Sequence, residues 1–301
     1  MSVNPCPEWY ADSRFFFKSG IADAFDEVAV KDPSIVYTGD RYHLFYTGVT
    51  NKGWWQTGYA TAKTLDGLIN APHVFLHTLK ENYFCAPQVF YFELHKKWYL
   101  IYQDGYFGAA YATTKTIDDP DSWKGPVNLG IPRPKGYDFW IICDNKYAYV
   151  FYTPDGNTRT LVWRRTPLKR FPSGWGPPKI AISGPYEGVS VYKSLADGMY
   201  YLLPENFENP RYYELWRAAS PDGPWSKIAD KWLSQGNLIN KGEPWTTNVS
   251  HGEIIRTGIN QKLEINDINK VDFLVHGAKD IDFSEYAAIP WDLGIIRNYN
   301  K

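Results

Sequence analysis

The sequence predicts an all-β fold, a five-bladed β-propeller formed by residues 1–301 as a single domain. Three observations carry this reading. A short strand, a turn rich in Asp, Asn, Lys or Gly, and an aromatic strand recur in that order five times. The recurrences begin 54, 52, 49 and 64 residues apart, the period of a blade of four short strands. The chain also carries 13 Trp, 23 Tyr and 16 Phe beside 24 Gly and 21 Pro, so aromatic runs are repeatedly cut by turn formers. No linker-like stretch, composition shift or low-complexity segment divides it.

The first copy runs Val30-Lys31-Asp32-Pro33-Ser34-Ile35-Val36-Tyr37, turns at 38–41, and continues Tyr42-His43-Leu44-Phe45-Tyr46. The second pairs Ala86-Pro87-Gln88-Val89-Phe90 with Trp98-Tyr99-Leu100-Ile101-Tyr102, and the third pairs Tyr137-Asp138-Phe139-Trp140 with Tyr147-Ala148-Tyr149-Val150. The fourth pairs Tyr186-Glu187-Gly188-Val189 with Met199-Tyr200-Tyr201-Leu202. The fifth opens at Ser250-His251-Gly252-Glu253, with Gln261-Lys262-Leu263-Glu264-Ile265 as its expected partner. Third strands of alternating small and aromatic residues follow, as in Gly58-Tyr59-Ala60-Thr61-Ala62 and Ala110-Tyr111-Ala112-Thr113. This alignment sets Asp32, Ala86, Asp138, Glu187 and His251 at one equivalent position, a ring at one mouth of the central channel.

Charge narrows the partner. Thirty-two basic residues against thirty-three acidic ones leave a net charge of -1, which provides no cationic field for nucleic acid or an anionic membrane. A neutral polar partner such as a saccharide fits, and many of the aromatic rings serve as core. Cys6, Cys85 and Cys143 show no metal-type spacing and no disulfide framework. No stretch approaches eighteen apolar residues, and the first residues lack the pattern of a secretory signal.

The ring suggests a chemistry. Glycoside hydrolysis uses one carboxylic acid to protonate the leaving oxygen and a second carboxylate to activate water or attack carbon. Asp32, Asp138 and Glu187 supply both roles with one carboxylate to spare, and crowding raises at least one pKa toward the working pH. Glu187, with the longer arm, suits the proton donor; Asp32 suits the base, and Asp138 the group that tunes them. His251 in the fifth place could hold a metal or bind substrate. Lys31, Arg211 and Arg217 are candidate hydroxyl or carboxylate partners. Asn248-Val249-Ser250 matches a glycosylation acceptor but abuts the channel mouth, so the match reads as accidental.

The residues also resemble a known family. Trp245-Thr246-Thr247-Asn248-Val249-Ser250-His251-Gly252-Glu253-Ile254-Ile255-Arg256-Thr257 is similar to the Trp-Thr-Asn and Ser-His-Gly signature of glycoside hydrolase family 62, the α-L-arabinofuranosidases. Lys31-Asp32, Ala86-Pro87 with Phe90-Tyr91-Phe92, Tyr102-Gln103, Phe171-Pro172 with Trp175-Gly176, and Ile289-Pro290-Trp291-Asp292-Leu293-Gly294 extend the likeness along nearly the whole chain. The resemblance implies a five-bladed propeller that releases arabinofuranosyl branches from arabinoxylan or arabinan with inversion. It implies Asp32 as general base, Asp138 as the carboxylate that tunes and orients, and Glu187 as general acid. It further implies a structural calcium ion near His251, coordinated mostly by water, and Tyr212 or Tyr213 beside the bound arabinose; Lys31, Trp55 and Gln103 are expected to bind substrate. Secretion or a periplasmic location and a monomeric state go with that assignment. Cys6 resembles an N-terminal half-cystine of the family, yet no Cys stands near Asn266-Asp267-Ile268, so that disulfide is expected to be missing. The loops around Gly53-Trp54-Trp55-Gln56 and Tyr106-Phe107-Gly108 depart from the family pattern, which bears on the polymer accepted. The alternatives are a family 43-type β-xylosidase or arabinanase, and a carbohydrate-binding propeller without catalysis.

Overall fold

The computed structural model describes residues 2–11, 16–79, 83–131, 136–155, 160–184, 186–279 and 281–299. Five sheets, antiparallel except for two short added strands, follow one another along the chain, and the helical segments among the described residues are short 3-10 turns. Blade 1 comprises Ala29–Tyr37, Tyr42–Val49, Trp55–Ala62 and Val74–Phe75; blade 2 comprises Phe84–Phe92, Lys97–Asp104, Gly108–Thr114 and Lys124–Asn128. Blade 3 is built from Gly136–Cys143, Tyr147–Pro154, Thr160–Pro167 and Lys179–Ser183, and blade 4 from Tyr186–Ser194, Tyr200–Asn206, Tyr212–Ala218 and Ser226–Leu233. The first strand of each blade touches the first strands of its two neighbours, so five inner strands surround an axis.

Blade 5 departs from the sequence expectation. Its inner strand Asn248–Ile254 pairs with Asp272–Ala278, whereas Glu264–Ile265 adds in parallel to the inner strand of blade 4. Asp292–Arg297 comes next, and the sheet is finished by Trp9–Ala11 from the other end of the chain, flanked by Leu238–Asn240. The ring is thus closed by hydrogen bonds between the first strand and the last. Near that seam Asn4 N–H donates to Asn269 Oδ1 at 3.0 Å, and Cys6 is a free exposed thiol, as the missing partner led one to expect.

Packing between blades explains the aromatic content. Val36, Phe45 and Tyr59 of blade 1 cluster with Val89, Leu100 and Trp123 of blade 2, and Ile35, Leu44 and Tyr46 cluster with Leu274 and Leu293 of blade 5. Flat rings fill the wedges between twisted sheets and bury much apolar area per residue. On the axis polar groups replace carbon. Glu253, fully buried, accepts from Ser34 Oγ at 2.5 Å and pairs with Arg256, whose guanidinium also donates to the carbonyls of Ile35 and Val89.

Every inner strand is interrupted at the same place. Pairing slips between Lys31 and Ser34, Cys85 and Gln88, Tyr137 and Trp140, Glu187 and Ser190, and Ser250 and Gly252. In four blades the residue that opens the bulge is left-handed: Asp32 (φ 47°), Ala86 (φ 49°), Asp138 (φ 56°) and Gly188 (φ 56°). A bulge re-aims the side chains around it. The register corrects the sequence alignment by one residue, because Gly188, not Glu187, is the equivalent of Asp32 and Asp138. Glu187 stands one step earlier, level with Lys31, Cys85, Tyr137 and Ser250.

Candidate active site

The bulges gather around a pocket of about 330 Å³ at the channel mouth. Lys31, Asp32, Trp55, Gln103, Asp138, Glu187 and His251, all picked out from sequence, line it together. Tyr83, Tyr137, Glu205, Ser250 and Tyr286, which sequence reasoning passed over, line it too, as does Arg211. Tyr212 and Tyr213 do not. They follow Arg211 into the third strand of blade 4, where Tyr213 is fully buried against Phe273 and the Tyr212 hydroxyl turns to Glu208 at 3.4 Å.

The bulges are held from outside. In four of the five joints the bulge N–H donates to a side chain from the second strand of the preceding blade: Asp32 to His276 Nδ1 at 3.0 Å, Ala86 to Thr47 Oγ1 at 2.9 Å, Asp138 to Gln103 Oε1 at 3.4 Å, and His251 to Glu205 Oε2 at 2.8 Å. In the remaining joint Thr153 donates instead to the Tyr186 carbonyl, and Gly188 N–H donates to Asp138 Oδ2 at 3.0 Å. One carboxylate of the site is therefore fixed by the backbone amide next to another. Gln103 also braces the pocket wall, where its Nε2 donates to the Tyr83 hydroxyl at 2.6 Å.

Asp32 lies between one lysine and two imidazoles. Lys31 Nζ is 3.7 Å from Asp32 Oδ1, donates to the Tyr286 hydroxyl at 3.0 Å, and sits over the rings of Trp55 (4.1 Å) and Tyr286 (4.6 Å). Burial opposes the Lys31 charge, but Asp32 and Tyr286 outweigh it and hold its pKa above the ordinary lysine value. Burial, with Lys31, His251 and Arg211 nearby, pushes His276 well below the ordinary imidazole value. His276 is accordingly neutral, as its acceptance of the Asp32 amide requires. Trp55 stacks on Tyr83 with centroids 5.8 Å apart, and this wall continues to Tyr286 at 5.6 Å.

The other two carboxyls are shifted upward. Burial raises Asp138, helped by Asp32 and opposed by His251 and the Gly188 amide. Burial also raises Glu187; Arg211 pulls it back, and Glu205 and Asp138 push it further up. Arg211 places one nitrogen 2.6 Å from Glu187 Oε1 and 2.6 Å from Glu205 Oε1. Glu187 keeps a side chain 30% exposed, whereas that of Glu205 is 1% exposed.

This network explains the residues around His251. Ser250 Oγ donates to Glu205 Oε1 at 2.5 Å, and a Cβ on Gly252 would lie 2.3 Å from the Leu274 carbonyl oxygen. Asn248, buried, accepts the Arg211 backbone N–H at 2.9 Å, which accounts for its conformation without any glycan. Trp245 covers Gly277 and Gly294, where a Cβ would approach its ring to 2.6 and 2.3 Å. His251 Nδ1 is 3.6 Å from both Asp32 Oδ1 and Asp138 Oδ1, too long for hydrogen bonds. Among the described residues no three His, Cys, Asp or Glu side chains are grouped to hold a metal. Calcium takes six to eight oxygens, so an ion near His251 would take most of its ligands from water.

Comparison with known proteins agrees with this architecture. The sequence profile described as Glycosyl hydrolase family 62 matches residues 26–297. Alpha-L-arabinofuranosidase C of Cellvibrio japonicus is 33% identical over 287 residues, which are 90% of this chain and 44% of that protein, so the chain spans less than half of that relative's length. The catalytic domain of a family 62 α-L-arabinofuranosidase from Coprinopsis cinerea superposes with a TM-score of 0.90 at 28% identity, covering 98% of both chains. An α-L-arabinofuranosidase from Podospora anserina, solved with cellotriose, superposes with a TM-score of 0.89 at 31% identity, covering 99% of this chain and 98% of that one.

Proposed function

The chain belongs to glycosyl hydrolase family 62, and from that membership we propose that it is an inverting α-L-arabinofuranosidase that removes arabinofuranosyl branches from arabinoxylan or arabinan. The observation that carries the reading is the pocket itself. Of the four carboxyls that line one small cavity, Asp32, Asp138 and Glu187 stand in unequal surroundings, two of them raised and Asp32 beside a lysine and two imidazoles. That inequality separates proton donor from proton acceptor.

In this mechanism Glu187, partly exposed and raised, gives its proton to the glycosidic oxygen as the bond from that oxygen to C1 breaks. Asp32 takes a proton from a water that attacks C1 on the opposite face, and the positive charge of Lys31 faces the attacking side. Asp138 orients the Glu187 backbone through the Gly188 amide and adds negative charge that favours a protonated acid. The Trp55, Tyr83 and Tyr286 rings flank the sugar. The product leaves with inverted configuration, and solvent returns a proton to Glu187 and removes one from Asp32. Separation of the two carboxyl groups by roughly 6.5–9.5 Å in the substrate complex goes with this course.

The reading includes action outside the cytoplasm, where such polymers are met, by a monomer. Among the described residues no helix is long and apolar enough to cross a membrane. The test is to incubate the protein with wheat arabinoxylan and with debranched arabinan and to follow released sugar by proton NMR. β-Arabinofuranose as the first product is expected; xylose or oligosaccharides would move the assignment to a family 43-type activity, and no product from either polymer would leave a binding propeller. Glu187→Gln and Asp32→Asn are each expected to lower kcat/KM by about 10²–10⁴-fold with the fold intact. Near-normal rates in either variant would remove that residue from its role.

A further inference from the structure

Resting on Glu187 as proton donor, we propose that Glu205 is a positioning residue for that acid: through Arg211 it orients the Glu187 carboxyl and shares the guanidinium charge, so that Glu187 carries the exchangeable proton. The geometry is a chain. A single Arg211 nitrogen touches Glu187 Oε1 and Glu205 Oε1, each at 2.6 Å. Glu205 is fully buried and also receives Ser250 Oγ at 2.5 Å and the His251 amide at 2.8 Å. The Arg211 backbone is fixed by Asn248 at 2.9 Å.

Charge counting assigns the proton. With both carboxylates ionised, Glu187, Glu205 and Arg211 carry a net negative charge in a mostly buried place. One proton makes the trio neutral. Three donors already satisfy the Glu205 oxygens, whereas Glu187 has one donor and reaches the pocket, so the proton is placed on Glu187. Paired with a single carboxylate, the same guanidinium would hold it ionised and useless as an acid. Glu205 thus converts Arg211 from a trap for the anion into a hinge for the acid.

The other groups around Glu187 act in known senses. Asp138 and Tyr137 face it from blade 3, Tyr286 from the loop before the last strand, and His251 and Lys31 from across the pocket. Burial, Glu205 and Asp138 push the Glu187 carboxyl up and Arg211 pulls it down. Removing Glu205 charge and removing Arg211 charge therefore shift it in opposite directions, which packing damage cannot imitate.

The experiment is a pH profile of kcat and kcat/KM on an arabinoxylan oligosaccharide for wild type, Glu205→Gln and Arg211→Met, with Tm measured for each. The basic limb reports the acid. It is expected to move at least half a pH unit lower in Glu205→Gln, so that kcat above neutrality falls about threefold or more, and to move higher in Arg211→Met. A limb unmoved in Glu205→Gln, with rate lowered equally at every pH, overturns the proposal. Should Glu205→Gln fail to fold, Glu205→Asp, whose shorter arm draws the carboxylate away from Arg211, takes its place: a basic limb moved lower supports the coupling, and an unmoved or higher one overturns it. Glu187→Gln is the control, since a basic limb that persists there refutes the acid assignment rather than the coupling.

Discussion

Gly188→Ala probes the register at the acid most directly. Gly188 has a φ of +56°, and a Cβ there would lie 2.7 Å from Glu205 Oε2 and 3.3 Å from Glu205 Cβ. The backbone part has an internal reference, because alanine already occupies the equivalent position of blade 2 at a φ of 49°. That part costs about 1–2 kcal/mol. The steric part is particular to blade 4: the Glu205 carboxylate must retreat by several tenths of an ångström and weaken at least one charge-assisted hydrogen bond, worth about 1.5–3 kcal/mol. The total is about 2.5–5 kcal/mol. At roughly 2 °C per kcal/mol for a chain of this length, Tm falls by about 5–10 °C. Thermal unfolding by circular dichroism, scanned beside wild type at neutral pH, reads this out. A fall of no more than about 4 °C is what the backbone alone accounts for, and it would refute the claim that Glu205 fills the space over Gly188.

Three further outcomes follow from the site and the axis. Because Asp138 is raised above 3.8 in the native state, native protein binds its proton more tightly than the unfolded chain does. Its contribution is therefore lost as pH rises through the native pKa, and the stability of Asp138→Asn relative to wild type should grow from pH 4 to 7 in urea unfolding; a difference constant with pH contradicts this. Glu253→Ala leaves Arg256 buried without its carboxylate and should cost about 3–5 kcal/mol, while a loss below about 1 kcal/mol would show that the axial pair contributes little. Trp55→Ala removes the ring under Lys31 and the stack on Tyr83; kcat/KM should fall with Tm shifted by less than about 3 °C, and an unchanged kcat/KM would take Trp55 out of the sugar wall.

The sequence made the blades legible because each inner strand and its partner are joined by a short turn, so the repeat lies in local pattern. It misread blade 5 for the opposite reason. There, residues 255–271 separate the paired strands, and the true partner Asp272–Ala278 is outrun by a nearer aliphatic run. The Trp9–Ala11 strand, three residues long, finds its place through pairing with Leu238–Asn240 and Asp292–Arg297, both remote in sequence. At the site, matching carboxylate to carboxylate placed Glu187 one residue late, since what repeats is the left-handed backbone, and glycine satisfies that without a carboxylate. Tyr212 and Tyr213 were misplaced because strand alternation sends one inward and the other to a flank. Glu205 carried no motif of its own; its clue was its place level with Thr47, Gln103, Thr153 and His276 in the second strands.

The closure of blade 5 by Trp9–Ala11 has a consequence for how the chain acquires its structure. During synthesis the first strand emerges before any of the partners with which it will pair, and the last of them, Asp292–Arg297, emerges nearly three hundred residues later. Four blades can condense in order from local contacts, but the hoop can lock only after translation of its final strand. Until then Trp9, fully enclosed in the finished molecule, faces solvent. The Trp9–Ala11 strand therefore stays adhesive until that last partner arrives, and the loop-closure entropy of the intervening residues is spent in one event.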